Sequence, residues 1–338
     1  MSLSNSERVA SRNMGRKSKS AAKSNHRQRL ARRLFETPDD QQRFLDSLET
    51  NIKFPVALIW IRKKQRNVFL AQSPPEWLPE FAELVSFDQR PGKHPLHDDG
   101  KYYCVDPSSI FMMMGAAHLA KADTEIQSVL DVCASPGGKS ILAKRWFQPQ
   151  LLVANEVIGK RLGALISNFK RCKISSAQVT SVDTSKFSEL IPQTFDLVLV
   201  DAPCSGQSLI PKGKPSPGCF HPATINLNAN RQRRILANAA KATAGGGWLI
   251  YMTCTYSLKE NETNVAWFLK KHPEFKAVEC PGLARYQSHL SQVPAYRLLP
   301  EANQGAGGFF ALFQRTGSEK WDKNRPVKGL PIRWQSEE

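Results

Sequence analysis

Through the middle of the chain, short apolar runs alternate with segments whose apolar residues recur every three or four positions. Val129 and Leu130 lead to Asp131, Leu151–Ala154 to Asn155 and Glu156, Ala177–Val182 to Asp183, and Phe195–Val200 to Asp201. Gly247–Met252 runs into Thr253-Cys254-Thr255. Runs of this kind suit strands covered on both faces. After the second run, Ile158, Leu162, Leu165, Ile166 and Phe169 fall at offsets 0, 4, 7, 8 and 11, one face of a helix. A helix from Lys259 to about His272, then runs at Phe275–Glu279 and Phe309–Phe313, continue the alternation. The pattern predicts a parallel-sheet α/β domain over residues 101–316.

Upstream the pattern is less regular and predicts a small α/β unit over residues 36–100. Gln42–Leu48 reads as a helix, Phe54–Ile61 and Asn67–Leu70 as strands, and Pro74-Pro75 as the start of a helical stretch through Leu84. Ser86–Lys101 is a polar loop in which His94 and His97 stand beside Asp98 and Asp99, a set that no further spaced ligand completes as a metal site. Asp106-Pro107-Ser108-Ser109 has a capping Asp and a Pro at the first helical position, opening a helix through Phe111, Met112 and His118. Its methionines and aromatics read as core.

Charge adds a partner to this picture. The 338 residues carry 47 Lys and Arg against 30 Asp and Glu, a net +17, which points to a polyanion such as nucleic acid. Residues 1–35 hold ten of the basic residues and only Glu7, a net +9, and read as a basic flexible arm. An RNA-grasping arm, a solvated tail and a targeting segment all share that composition. Residues 317–338 read as a C-terminal tail. No run approaches the roughly 18 apolar residues of a membrane span, and seven scattered cysteines do not form a disulfide framework. A cytoplasmic, monomeric protein without membrane or metal partners is expected.

The chemistry concentrates at Ser128–Ser140, SVLDVCASPGGKS, where a strand passes through a glycine turn into a helix. Such a turn offers free backbone N–H groups, and Gly lets the chain approach a ligand closely. A phosphate-cradling loop would need Gly at position 133, which is Cys133, and the G-x-G-x-x-G fingerprint is absent. What remains suits a ligand with a ribose and an amino acid. Asp131, Glu156, Asp183 and Asp201 each close a consecutive strand, and Glu156, 18 residues beyond Gly138, is placed for a ribose hydroxyl pair. One strand-end acid is usually a turn residue; four in succession indicate a nucleoside-containing cofactor. Cys204 and Cys254 stand at the same edge, each in a turn. A buried free cysteine is ordinarily a small core residue, the reading taken for Cys133 and Cys172, and a thiol near its reference pKa of about 8.5 is only a few per cent ionised at neutral pH. Two at neighbouring strand ends suggest chemistry.

Asp131–Lys139, Asp201–Gly206 and Thr253–Thr255, with Asp106–Ser109 upstream and a closing Gly308-Phe309-Phe310 strand, resemble in order the motifs of the Sun-type RNA 5-methylcytosine methyltransferases. The resemblance covers roughly Tyr102 to Gln314. It implies a doubly wound class I methyltransferase sheet of seven strands, the last antiparallel, preceded by a small α/β RNA-binding domain. It implies S-adenosylmethionine as cofactor, held by Cys133, Ala134, Ser135, Pro136, Gly137, Gly138, Lys139, Glu156, Asp183 and Asp201. It further implies that Cys254 attacks carbon 6 of a cytosine, that Asp201 donates to ring nitrogen 3, and that Cys204 helps remove the carbon 5 proton. The target would be an unstacked cytosine in structured rRNA or tRNA. A non-catalytic RNA-binding or assembly factor on the same fold, and a DNA cytosine-5 methyltransferase, are the alternatives. One departure concerns the loop after Gly206: Gln207–Ile210 and Pro211–Pro222, with four Pro, two Lys and Cys219, replace the family's Arg-rich loop ending in Trp.

Overall fold

The computed structural model describes residues 25–49, 52–65, 67–214, 216–317, 327 and 329–337. Two helices come first, α1 over residues 25–34 and α2 (Pro38–Glu49). Ala31 and Leu34 of α1 are buried with Phe44 and Leu48 of α2 and with Tyr256, far along the chain. The flexible-arm reading is therefore wrong for residues 25–34, because a leucine and an alanine one turn apart dock the helix; residues 1–24 of that arm lie outside the described residues.

A four-stranded antiparallel sheet follows, β1 (Val56–Trp60), β2 (Ala71–Gln72), β3 (Ala82–Val85) and β4 (Tyr102–Val105), in the order β2-β3-β1-β4. Two expectations fail here. Asn67–Leu70 is a turn leading to β2, and the stretch from Pro74 to Leu84 ends in a strand instead of a helix. Along β3 the side chains alternate: Ala82 and Leu84 join the largest apolar cluster, shared with residues beyond 107, Val85 packs on the other face, and Glu83 accepts a bond of 3.0 Å from Trp60 Nε1. Period two decides for the strand. The small sheet also takes β4 from beyond residue 100, while α2 packs against Tyr256, so the unit is not residues 36–100 standing alone. The loop before β4 contains a short helix, α3 (Pro95–Asp98), and the helix begun at Asp106 is two, α4 (Pro107–Phe111) and α5 (Met114–Lys121). The Asp106 side chain caps α4, accepting from Ser108 N at 2.9 Å.

The large sheet is built from β5 (Ser128–Asp131), α6 (Gly138–Phe147), β6 (Leu151–Asn155), α7 (Gly159–Arg171), β7 (Ala177–Thr180), α8 (Phe187–Leu190), β8 (Phe195–Asp201), α9 (Pro222–Ala242), β9 (Thr243–Thr253), α10 (Glu262–Lys271), β10 (Phe275–Ala277), β11 (Tyr296–Leu298), β12 (Gly308–Arg315) and β13 (Ile332–Gln335). The order is β10-β12-β9-β8-β5-β6-β7-β13, with β11 pairing β12. Strands β5 to β9 are parallel, and β12 runs antiparallel to β9. Seven of these strands make the doubly wound sheet with its antiparallel seventh strand. β11 and β13 are additions, and β13 corrects the tail reading of residues 317–338: it pairs antiparallel with β7 at the sheet edge. Two apolar clusters, one on each face, make the core. The central strands are apolar throughout because helices cover both faces. No helix among the described residues is long and apolar enough to cross a membrane.

Candidate active site

The carboxyl ends of β5, β6, β8 and β9 meet along one sheet edge, where ligands bind in open α/β sheets. Asp131 lies across from Ala154 and Leu199, and Asp201 from Met252, so the strand-end residues share one level. The turn out of β5 depends on its glycines. Gly137 has φ +111°, a left-handed conformation that favours Gly, and a Cβ on Gly138 would come within 3.3 Å of Tyr103 and Val105 of β4. The small sheet thus fixes the start of α6.

On one side of the crevice stand the two thiols. Cys204, in the turn after β8, and Cys254, in the turn after β9, bring their Sγ atoms to 3.1 Å, and both are free cysteines. The hydrogen bond from Cys204 draws the Cys254 thiol below its usual range; burial and Asp201 oppose this, while Lys139 and Ser208 assist. The same bond, with burial, pushes Cys204 well above its range. With these directions Cys254 is the sulfur that ionises first, and as a thiolate it accepts from the Cys204 S–H. Lys139 Nζ lies 2.8 Å from Asp201 Oδ2. Burial works against its charge, but Asp201, with Cys254 and Asp131 behind it, holds the Lys139 pKa above the ordinary value.

Beneath the thiols lies a hydrogen-bonded group that the sequence reading missed. Glu260, fully buried, accepts from Ser205 N at 2.8 Å and Gln232 Nε2 at 2.9 Å on one oxygen, and from Ser205 Oγ at 2.6 Å on the other. Ser205 Oγ also lies 2.7 Å from Thr255 Oγ1. These bonds lock the Cys204 turn to the Cys254 turn. Nothing in the sequence marks Glu260 apart from any other acid ahead of a helix; only its neighbours in space do.

On the other side a cavity of about 680 Å³, in the range of small-molecule sites, is lined by Cys133, Glu156, Asp183, Pro203, Arg231 and Arg234 among others. Three of the expected cofactor residues, Cys133, Glu156 and Asp183, therefore share one cavity. Asp183 caps the turn that follows β7, accepting from Ser185 N at 2.9 Å, a bond that holds its carboxyl below the usual range. Glu156 Oε1 accepts from Ile158 N at 2.8 Å, while its buried Oε2 has no hydrogen-bond partner among the described residues, although Arg161 Nη1 is 3.3 Å away. Asp131 accepts from Ser140 Oγ at 2.6 Å through Oδ2, its buried Oδ1 is unpartnered among the described residues, and burial pushes its carboxyl up to about 7. Ala134 to Gly138 form the turn itself, with Ala134 N bonded to Asn155 O at 2.8 Å and Ser135 Oγ to Arg161 O at 2.8 Å. Lys139 and Asp201 belong instead with the thiols. Asn155, also missed, staples three strand ends by bonding Val132 O and Val182 O from Nδ2 and Val182 N to Oδ1.

The unusual loop is anchored. Ile52 N bonds Pro211 O at 2.8 Å, Lys212 Nζ pairs with Asp106 Oδ2 at 2.7 Å, and Gln207 Nε2 reaches Cys219 O at 2.9 Å. His94 Nδ1 accepts from Leu96 N at the start of α3, and among the described residues no group of three or more His, Cys, Asp or Glu could hold a metal ion.

Comparison with known proteins agrees with this architecture. NSun6 from Pyrococcus horikoshii superposes with a TM-score of 0.71 at 16% identity, over 86% of this chain and 98% of that one. A methyltransferase homolog protein from the same organism gives 0.65 at 21% identity, over 81% and 90%. Both likenesses show the fold. Ribosomal RNA small subunit methyltransferase F of Cronobacter sakazakii is 32% identical over 268 residues, 75% of this chain and 55% of the relative. The protein of the same description from Escherichia coli O139:H28 is 33% identical over 252 residues, 72% of this chain and 52% of the relative. The chain thus spans about half the length of these relatives. The sequence profile described as 16S rRNA methyltransferase RsmB/F matches residues 116–314, from α5 through β12, and with more than half of its residues inside that match the chain belongs to the RsmB/F family.

Proposed function

We propose that the chain is an S-adenosylmethionine-dependent methyltransferase that acts on carbon 5 of a cytosine in RNA of the small ribosomal subunit. The observation that carries this reading is the pair of reduced thiols 3.1 Å apart at neighbouring strand ends, flanked by the Lys139–Asp201 pair and opening beside the 680 Å³ cavity. The relatives' description supplies the substrate class.

The cavity fits the cofactor. Glu156, which lines it, has a buried Oε2 without a hydrogen-bond partner among the described residues and would take a ribose hydroxyl pair. S-adenosylmethionine would supply an electrophilic methyl group there. Carbon 5 of cytosine is too weak a nucleophile to take it unaided. Cys254, the more acidic thiol, adds through sulfur to carbon 6, and the electron pair released toward the ring makes carbon 5 nucleophilic. Asp201 holds the ring at nitrogen 3, with Lys139 supplying the proton the pair shares. Once carbon 5 is methylated, its proton leaves to a base, the carbon 6–sulfur bond breaks, and Cys254 departs as thiolate. Cys204 is that base: once Cys254 is a thioether it no longer holds the Cys204 proton, which passes to solvent and leaves a thiolate to take the proton from carbon 5.

Three variants incubated with cofactor and radiolabelled small-subunit rRNA test the assignment on a denaturing gel. Cys254→Ala should lose methylation and form no covalent complex. Cys204→Ala should accumulate a denaturant-resistant protein–RNA complex, and the double variant should lose it. An adduct in Cys254→Ala but not in Cys204→Ala would reverse the two roles. Methylation surviving in the double variant would remove both thiols from the chemistry.

A further inference from the structure

A second cavity, of about 330 Å³, opens between α1, the 207–222 loop and the turn after Cys254. One wall is α1, which presents Arg29 and Arg33 a helical turn apart, together with His26. The opposite wall carries Phe220 and Asn226, and Gln207, Ser257 and Lys259 line it nearer the thiols. The walls are held in place. Ala31 and Leu34 anchor α1 in the core, Arg27 stacks over Phe220 at 5.5 Å, and the rings of His26 and His221 meet at 5.8 Å.

The lining of this cavity is tied to the Cys254 turn by hydrogen bonds. Gln207 Oε1 accepts from Tyr256 N at 3.0 Å, and the next residue, Ser208, donates its N–H to Cys254 O at 3.2 Å. Arg29, Arg33 and Lys259 are exposed and have no carboxylate partner among the described residues. Two arginines spaced along a helix suit a phosphodiester. An aromatic ring and an amide on the facing wall suit a base. We infer that this cavity receives the nucleotide flanking the target cytosine in single-stranded RNA, an inference that rests on the RNA reading of the thiol site. The family-atypical loop thereby acquires a role, since with α1 it forms a pocket beside the catalytic thiol.

The test uses the full chain and a fluorescent single-stranded RNA of about twelve nucleotides with one cytosine, read by anisotropy across a salt series. A second RNA lacks the bases on either side of that cytosine. Arg29→Gln with Arg33→Gln should weaken binding to the intact RNA and lower the salt slope by about 1.4, two phosphates at about 0.7 each. Lys270→Gln with Lys271→Gln, which removes equal charge from the end of α10, should leave the slope at the parent value. Phe220→Ala should lose about fivefold or more on the intact RNA and nothing further on the RNA lacking the flanking bases, while Phe220→Tyr should bind like the parent. An equal slope change in the two double variants, an equal Phe220→Ala loss on both RNAs, or free cytidine monophosphate binding as tightly as the oligonucleotide would each overturn the assignment. A parent protein that neither binds this RNA nor forms a Cys254 adduct on any RNA would fail the RNA reading itself. A parent that does both, with pocket variants indistinguishable from it, would fail the pocket alone.

Discussion

Glu260 beneath the thiols and Glu156 in the 680 Å³ cavity are both buried carboxylates, 0% and 2% exposed, yet their surroundings differ. Every oxygen of Glu260 is bonded, to Ser205 and Gln232, and the group ties the Cys204 turn to the Cys254 turn. Glu156 uses one oxygen on Ile158 N and leaves the other without a hydrogen bond inside a cavity. Leaving a buried polar atom unbonded costs about 1–3 kcal/mol, so a folded chain keeps such atoms where something else will use them. The fully bonded carboxylate is scaffold; the other, with only Arg161 Nη1 near its free oxygen, is the one proposed above to bind the cofactor. The same contrast separates the two strand-end aspartates: Asp201 is paired by Lys139, while Asp131 keeps an unpartnered oxygen and a raised pKa.

The contrast breaks most visibly at Glu260. Glu260→Ala should cost about 3 kcal/mol in denaturant unfolding, because Ser205 N and Gln232 Nε2 become buried donors without acceptors. Glu260→Gln should stay within about 1 kcal/mol of the parent: its carbonyl can accept from both donors, and its amide can donate to Ser205 Oγ, whose hydrogen then turns toward Thr255. A Gln variant as unstable as the Ala variant would mean that charge, rather than bond count, holds the turns. Glu156→Ala should do the opposite, leaving stability nearly unchanged while weakening S-adenosylmethionine by the roughly 1.5–3 kcal/mol of a charged hydrogen bond, measured by calorimetry without RNA. Unchanged cofactor affinity would take Glu156 out of the site.

The remaining effect concerns Asp131 and pH. Its folded pKa, about 7, lies above the unfolded value near 3.9. Between those values the folded chain binds more protons than the unfolded one, so the stability this carboxyl contributes is full below about pH 4 and is lost as pH rises to about 7. Asp131→Asn, which cannot titrate, should flatten the decline of unfolding free energy across that window in the cofactor-free protein. An unaltered pH profile would show that Asp131 is already ionised in the fold.

Much of this was legible in sequence. The strand ends at Asp131, Glu156 and Asp201, the α7 face of Leu165 and Phe169, the Asp106 cap and the two thiols all came from local patterns, because a buried parallel strand is apolar throughout and the acid that ends it interrupts the run. The misreadings fell where the pattern was short. Ala82–Val85 looks helical after Pro74-Pro75 until its alternate residues are seen to face two different cores, and Ile332–Gln335 becomes a strand only because the edge of β7 is there to pair with.

The sequence by itself determined the order of the elements and the chemistry of the crevice: which strands end in acids, where the glycine turn breaks, and that two cysteines stand at strand ends. The tertiary structure decided which of these groups meet. Cys204 and Cys254 are 50 positions apart in the chain and 3.1 Å apart in the fold; Lys139 turned from the cofactor turn to Asp201; α1 became a wall beside the thiols. The physical reason is range. Burial and periodicity are written in neighbouring residues, whereas a thiol's acidity, a carboxylate's partners and the walls of a cavity depend on atoms that only the closing of the sheet brings together.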